Sequence, residues 1–334
     1  MKKYILKILI IIFLISFSGF FFVWRGIYLP KDQNSRTEEI FTIKKGEGSK
    51  EISLNLEKEG LIGSGFLFRI YTFSKGVSAN LQAGDYLLSP AMTIPEIAEK
   101  LTKGETVKLI VTFPEGLKIS EIEEKLIEKG IDAKSKIKIK KAKDYENEFK
   151  FLEDAFNEAS IEGYLFPDTY QFSFQATPEE IVIKMLSNFG QKLTPDLRTE
   201  ISRQGKSIFD IITMASLIEK EVRTLEDKKI VSGVLWKRLK KGMPLQVDAT
   251  IAYITGKKST EISIEETRID SLYNTYKHQG LPLGPICNPG LESIIAAIYP
   301  ENSEYWFYLS TPEGQTIFSK TLEEHNIARE KYLK

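Results

Sequence analysis

Ser207-Ile208-Phe209-Asp210-Ile211-Ile212-Thr213-Met214-Ala215-Ser216-Leu217-Ile218-Glu219-Lys220-Glu221-Val222 places apolar side chains on every face of a helix. Ser207, with Asp210 three residues on, makes a helix start, because a serine hydroxyl can accept from a free N–H of the first turn. Stepping about 100° per residue puts Ile208, Ile211, Ile212, Ala215, Ile218 and Val222 on one face, and Met214 and Leu217 make the other face apolar too. A helix that is apolar all round belongs inside a protein, so a core helix is expected here. It ends on two carboxylates, Glu219 and Glu221. These lie about 200° apart and cannot point into one cleft. Glu219 falls in the apolar stripe and Glu221 points toward Met214 and Leu217, so periodicity leaves the choice between them open.

A carboxyl group held in apolar surroundings has its pKa raised. It stays protonated near neutrality and can donate a proton to a leaving oxygen, which is the chemistry of glycosidic-bond cleavage. The plainer alternative is that both glutamates emerge at a helix end and pair with Lys220, Arg223 or Lys228. Downstream, helices are expected over Asp227–Leu239 and Ala249–Ile254, separated by Gly242, Pro244, Gln246 and Asp248. Tyr273-Asn274-Thr275-Tyr276 and the Gly/Pro-rich 280–290 segment then supply rigid loops bearing aromatic and amide groups, suited to stacking on sugars and bonding their hydroxyls. Upstream, Glu162-Gly163-Tyr164-Leu165-Phe166-Pro167-Asp168-Thr169-Tyr170 is too polar for a strand and too aromatic for an ordinary loop; it lines a ligand or closes over the core. The charged residues 132–150 read as a solvated helix or loop.

The chain has 334 residues, enough for two folded parts. Lys+Arg and Asp+Glu both number 46, and no basic stripe is present, so nucleic acid is not an expected partner. The single cysteine, Cys287, cannot form an intramolecular disulfide, and neither thiol nor metal chemistry nor a cofactor is expected. Residues 8–24 carry no charge and are long enough to cross most of a bilayer. Lys2, Lys3 and Lys7 precede them, so residues 1–7 are expected in the cytoplasm and the bulk of the chain outside. A cleaved signal peptide is the competing possibility, but the apolar run continues to Trp24, which suits an uncleaved anchor with an interfacial aromatic. Residues 25–39 are polar and read as a linker. Ile40–Ile43 then alternates like a strand, followed by a helix with Ile52 and Leu56 stopping at Gly60. Similar phrases recur at Ile97, Leu101 and Gly104 and at Ile122, Leu126 and Gly130. With a strand at Ala83–Leu88, a small αβ module is expected over 40–104. A strand at Val107–Phe113 leads into a larger mixed α+β domain over 105–334.

Met214–Glu221, Leu245-Gln246-Val247-Asp248-Ala249-Thr250, Tyr273–Tyr276 and Asn288-Pro289-Gly290 together closely resemble the YceG-like endolytic murein transglycosylases. The resemblance takes in the anchor, Phe166–Tyr170, Phe318, His325 and Asn326, and so covers nearly the whole chain; Leu283, where the family often has proline, departs from it. It implies an α+β protein with a single transmembrane helix, a LysM-like glycan-binding module and a catalytic domain. It implies that Glu221, the second glutamate of Glu-Lys-Glu, is catalytic, and that peptidoglycan strands are the substrate, with peptidoglycan synthases as partners. Gln246, Asp248, Tyr273, Asn274, Thr275, Tyr276, Asn288 and Tyr170 are the expected substrate-binding residues, with Glu162 as a helper. A hydrolase of the same polymer, with Asp248 or Glu162 as second carboxylate, and a non-catalytic glycan-binding scaffold are the alternatives.

Overall fold

The computed structural model describes residues 2–333. Met1 and Lys334 lie outside the described residues, as do the side chains of Lys2 and Lys3, two of the basic residues used above to orient the membrane segment. The described chain is mixed α+β, with twelve helices and three two-stranded sheets. It divides into two compact units, Met1–Leu109 with Gln171–Gln175, and Ile110–Tyr170 with Ala176–Lys334.

The first unit begins with α1 (Lys2–Tyr28), which is long and apolar enough to cross a membrane. Residues 25–28, read from the sequence as linker, continue this helix because Ile27 is drawn into the unit's core. Then come β1 (Glu39–Ile43), α2 (Ser49–Lys58), α3 (Gly65–Ser74), β2 (Gly84–Leu88) and α4 (Ile94–Lys103). β1 and β2 pair antiparallel, Glu39 opposite Leu88 and Ile43 opposite Gly84. Alternation along β1 sends Phe41 and Ile43 inward, against Ile52 and Leu56 of α2, Phe68 of α3 and Ile97 and Leu101 of α4. α4 is fixed at its start by a capping box between Thr93 and Glu96, and at its end by Gly104 in the left-handed conformation.

β3 (Leu109–Thr112) pairs with β4 (Thr169–Phe172); the second unit takes up the chain from Ile110, and its first helix is α5 (Ile119–Glu128). Residues 132–150 form a mostly exposed loop with short 3-10 turns, the solvated segment expected, anchored at a few buried positions. Glu123 accepts from the N–H groups of Ser135, Ile137 and Lys138 at 3.2, 2.8 and 2.8 Å, and this draws Ile137, Ala142 and Tyr145 inside. Beyond β4 run α6 (Pro178–Lys192), α7 (Pro195–Arg203), α8 (Ile208–Glu221), α9 (Leu225–Lys240), α10 (Asp248–Thr255), α11 (Leu291–Ile298), the hairpin β5 (Phe307–Ser310) and β6 (Thr316–Ser319), and α12 (Leu322–Tyr332). α8 is the central helix. Ser207 caps it, accepting from Asp210 N–H at 2.9 Å, and every residue from Ile211 to Ile218 is buried beneath α7, α9, α10 and α11.

Candidate active site

α8 stops at Val222, which turns to extended backbone, so Glu219 and Glu221 both sit in its last turn. Their environments differ. Glu219 accepts from Ser293 Oγ at 2.6 Å and Gly290 N–H at 3.0 Å, and its other oxygen lies 3.6 Å from the ammonium of Lys228, itself buried. The nearby Glu115 has its own carboxyl raised above the usual carboxylate range, by burial first and by the Glu219 charge second. Glu115 also abuts Gly290 so closely that a Cβ there would fall 1.8 Å from its Oε1. Glu219 is thus tied into the fold on every side.

Glu221 points elsewhere. As a residue it is half-buried, yet its carboxyl is enclosed by protein. Desolvation and the Asp248 carboxylate push its pKa up to about 7, against the nearby Tyr308 hydroxyl, the Arg238 guanidinium and the Ala249 N–H, each of which favours the charged form. Ala249 lies in the first turn of α10, so the positive end of that helix faces the carboxyl. Tyr308 and Ser310 are two apart on β5 and point to the same side. The first reaches the Glu221 carboxyl, and the second donates to the Glu221 carbonyl at 3.0 Å, so one strand holds both ends of the residue. Burial and the neighbouring Glu221 charge raise the Tyr308 hydroxyl well above its ordinary value, keeping it a donor.

The loop into α10 is built to present Asp248. Arg238, buried in α9, donates to Leu245 C=O at 2.8 Å and to Trp306 C=O at 2.9 Å, joining that loop to the approach to β5. Thr275 accepts the N–H groups of Gln246 and Val247 through its carbonyl and hydroxyl, at 3.1 and 3.0 Å. Gln246 takes φ of 56°, a left-handed conformation unfavourable for a side chain-bearing residue, and stands exposed. Asn274, wholly buried, donates to Thr267 and Ile269 carbonyls and accepts from Tyr276 N–H at 2.9 Å. That bond positions Tyr276, whose hydroxyl donates to Asp248.

Of the residues singled out in the sequence, Glu221, Asp248 and Tyr276 therefore come together, with Gln246 at the edge. Tyr273 instead packs at a tilt against Tyr253, 4.9 Å between ring centres, and lines a small recess with Glu162, Phe209 and Pro285. Glu162 accepts from Ile119 N–H, at the start of α5, at 3.1 Å and from Asn288 Nδ2 at 2.9 Å; burial raises its pKa to about 8. Asn288 uses its oxygen for the N–H groups of Gly163 and Leu165 and its amide also for Leu117 C=O, all at 2.9 Å. Tyr170 donates to Phe166 C=O at 2.6 Å and accepts from Asn188. Tyr308 and Arg238 were not legible as site residues. Each is an ordinary member of an amphipathic element until the chain closes.

Fold and site together define a mixed α+β protein with, among the described residues, one helix long and apolar enough to cross a membrane and a carboxyl group whose pKa burial raises to about 7. The chain belongs to the YceG-like family, whose model matches residues 41–331. It is 35% identical over 328 residues to the endolytic murein transglycosylase of Bacillus subtilis, covering 95% of this chain and 91% of that protein. It is 31% identical to the endolytic murein transglycosylase of Streptococcus pneumoniae serotype 2, covering 97% of this chain but 64% of the longer relative. The crystal structure of a YceG-like protein from Listeria monocytogenes superposes with a TM-score of 0.59 at 32% identity, covering 88% of this chain and all of that one.

Proposed function

We propose that this protein is an endolytic lytic transglycosylase of peptidoglycan, a carbon–oxygen lyase that cuts between N-acetylmuramic acid and N-acetylglucosamine within glycan strands. The observation that carries this reading is the desolvated Glu221 carboxyl, held near neutrality between Asp248 and Tyr308 in a chain whose relatives are named endolytic murein transglycosylases. Glu221, protonated, gives its proton to the bridging oxygen as the glycosidic bond breaks. As carboxylate it then takes the proton of the muramoyl C6 hydroxyl, whose oxygen attacks C1 of the same sugar to close a 1,6-anhydro ring. No water is consumed. Tyr308 and the Ala249 N–H stabilise the intermediate carboxylate. Asp248, Tyr276 and Gln246 orient the sugar, while Tyr273 packs against Tyr253 away from Glu221. Asn274, Thr275, Asn288, Tyr170 and Glu162 act from beneath, holding the loops that present the others.

In this reading α1 spans the cytoplasmic membrane, with residues 1–7 inside, the transmembrane part at 8–24 and the rest outside. The hydrophobic core that residues 40–104 build with Ile27 supports a LysM-like module that grips glycan, residues 105–334 carry the catalysis, and peptidoglycan synthases are the expected partners. The test is mass spectrometry of fragments released from purified peptidoglycan by the detergent-solubilised chain and by Glu221→Gln. Anhydro-muramoyl ends that vanish in the variant support the proposal. Reducing ends would replace it with a hydrolase, and binding without release would replace it with a scaffold.

A further inference from the structure

α3 carries an apolar stripe that no part of the described chain covers. Phe66, Ile70 and Phe73 stand at helical spacing on one face and are 66%, 39% and 81% exposed. The neighbouring face of the same helix receives the end of α1. Leu67 lies where a Cβ on Gly26 would meet its Cδ1 at 2.4 Å, Tyr28 packs edge-on against Tyr71 with ring centres 6.4 Å apart, and Ile27 enters the core. No free hinge therefore separates the apolar helix from the module. Trp24, at the end of the apolar run, is about one helical turn from these contacts. Exposed basic residues Arg25, Arg69 and Lys75 accompany the stripe, and Lys75 lies over the Tyr71 ring. Aromatic and aliphatic side chains with basic neighbours, fixed at the end of a membrane-length helix, have the composition of an interfacial amphipathic helix.

We propose that α3 is a second membrane contact, lying on the outer leaflet with Phe66, Ile70 and Phe73 in the headgroup–acyl boundary and Arg25, Arg69 and Lys75 among anionic headgroups. It rests on the reading of α1 as the membrane anchor. Burying these side chains offsets the cost of leaving them in water, and the rigid junction removes most of the entropy of finding the surface. The module is thereby laid down in one orientation instead of swinging about its anchor.

The experiment reconstitutes the full chain into phosphatidylethanolamine–phosphatidylglycerol vesicles, with an environment-sensitive fluorophore placed singly through Phe73→Cys, Phe66→Cys, Phe21→Cys or Lys45→Cys, the last in the exposed turn after β1. Quenching by lipids brominated near the carboxyl end of the acyl chain is read. Labels at 73 and 66 are expected to be quenched roughly threefold more than the label at 45. Quenching at 21 with 73 and 66 no different from 45 overturns the surface contact while leaving the anchor. Absence of quenching at 21 overturns the anchor itself, and with it this proposal.

Discussion

The hydroxyl of Tyr308, on a strand near the end of the chain, lies against the carboxyl of Glu221 at the end of the central helix and favours its charged form. It opposes the two influences that raise the Glu221 pKa, desolvation and the Asp248 charge, and the balance leaves the group near 7. A catalyst that must be acid in one step and base in the next is best served by such a value.

Tyr308→Phe removes the donor and nothing of the ring's packing. Because the hydroxyl favours the carboxylate, its loss raises the Glu221 pKa, so the alkaline limb of the pH–rate profile, where the general acid deprotonates, moves to higher pH. The carboxylate formed in the cycle also loses a stabilising dipole, and the rate of fragment release should fall about tenfold. An unchanged limb in a turbidity assay on sacculi would separate Tyr308 from Glu221.

Asp248→Asn acts with the opposite sign. Removing a negative charge beside Glu221 lowers its pKa, so the same limb moves to lower pH, while the amide oxygen introduced by the substitution can still accept from Tyr276. Opposite displacements in Tyr308→Phe and Asp248→Asn, measured in one buffer series, identify Glu221 as the titrating group. Displacements of the same sign would point to another.

Glu219→Ala should fail through stability. Glu219 and Lys228 have side chains only 9% and 3% exposed, and removing Glu219 leaves the buried Lys228 ammonium only its longer, 3.9 Å pairing with the exposed Glu292. The cost is about 3–5 kcal/mol, seen as a thermal transition lowered by roughly 10 °C. Glu221→Gln, which replaces a carboxyl the fold already prefers uncharged below neutrality, should leave that transition nearly where it was while abolishing turnover. Calorimetry of the two variants side by side separates a structural glutamate from a chemical one.

The central helix was legible because its signals are local: Ser207 as cap, apolar residues on all sides, and a glutamate end. α4, α5, α9 and α10 were readable for the same reason. α3 was not, since Gly65-Phe66-Leu67-Phe68 gives an apolar run without the periodicity of a half-buried helix, and three of its apolar residues remain outside. The choice between Glu219 and Glu221 could not be made from the wheel, because what separates them arrives from Lys228, Ser293, Asp248 and Tyr308, none of them within the helix. The amides of Asn274 and Asn288 illustrate the converse. Their type suits sugar hydroxyls, but in the fold Asn274 meets backbone groups of its own loop and Asn288 those of distant ones.

Two buried carboxyls give the protein a pH-dependent stability whose sign is fixed by their direction. Glu162 is raised from 4.5 to about 8, and Glu221 from 4.5 to about 7, each with desolvation as the main cause. A folded-state pKa above the unfolded value means that the native chain holds more protons between the two. The stabilisation is therefore complete below about pH 4.5 and is lost as pH rises through the folded values, with slope set by the difference in bound protons. Between about pH 5 and about pH 9 the unfolding free energy should drop by a few kcal/mol from Glu162 alone. Glu162→Gln keeps an oxygen for Ile119 N–H and removes the titration, so its urea midpoint should fall less steeply with pH than that of the parent chain. If the two midpoints ran parallel across this range, Glu162 would not be the group that loses its proton.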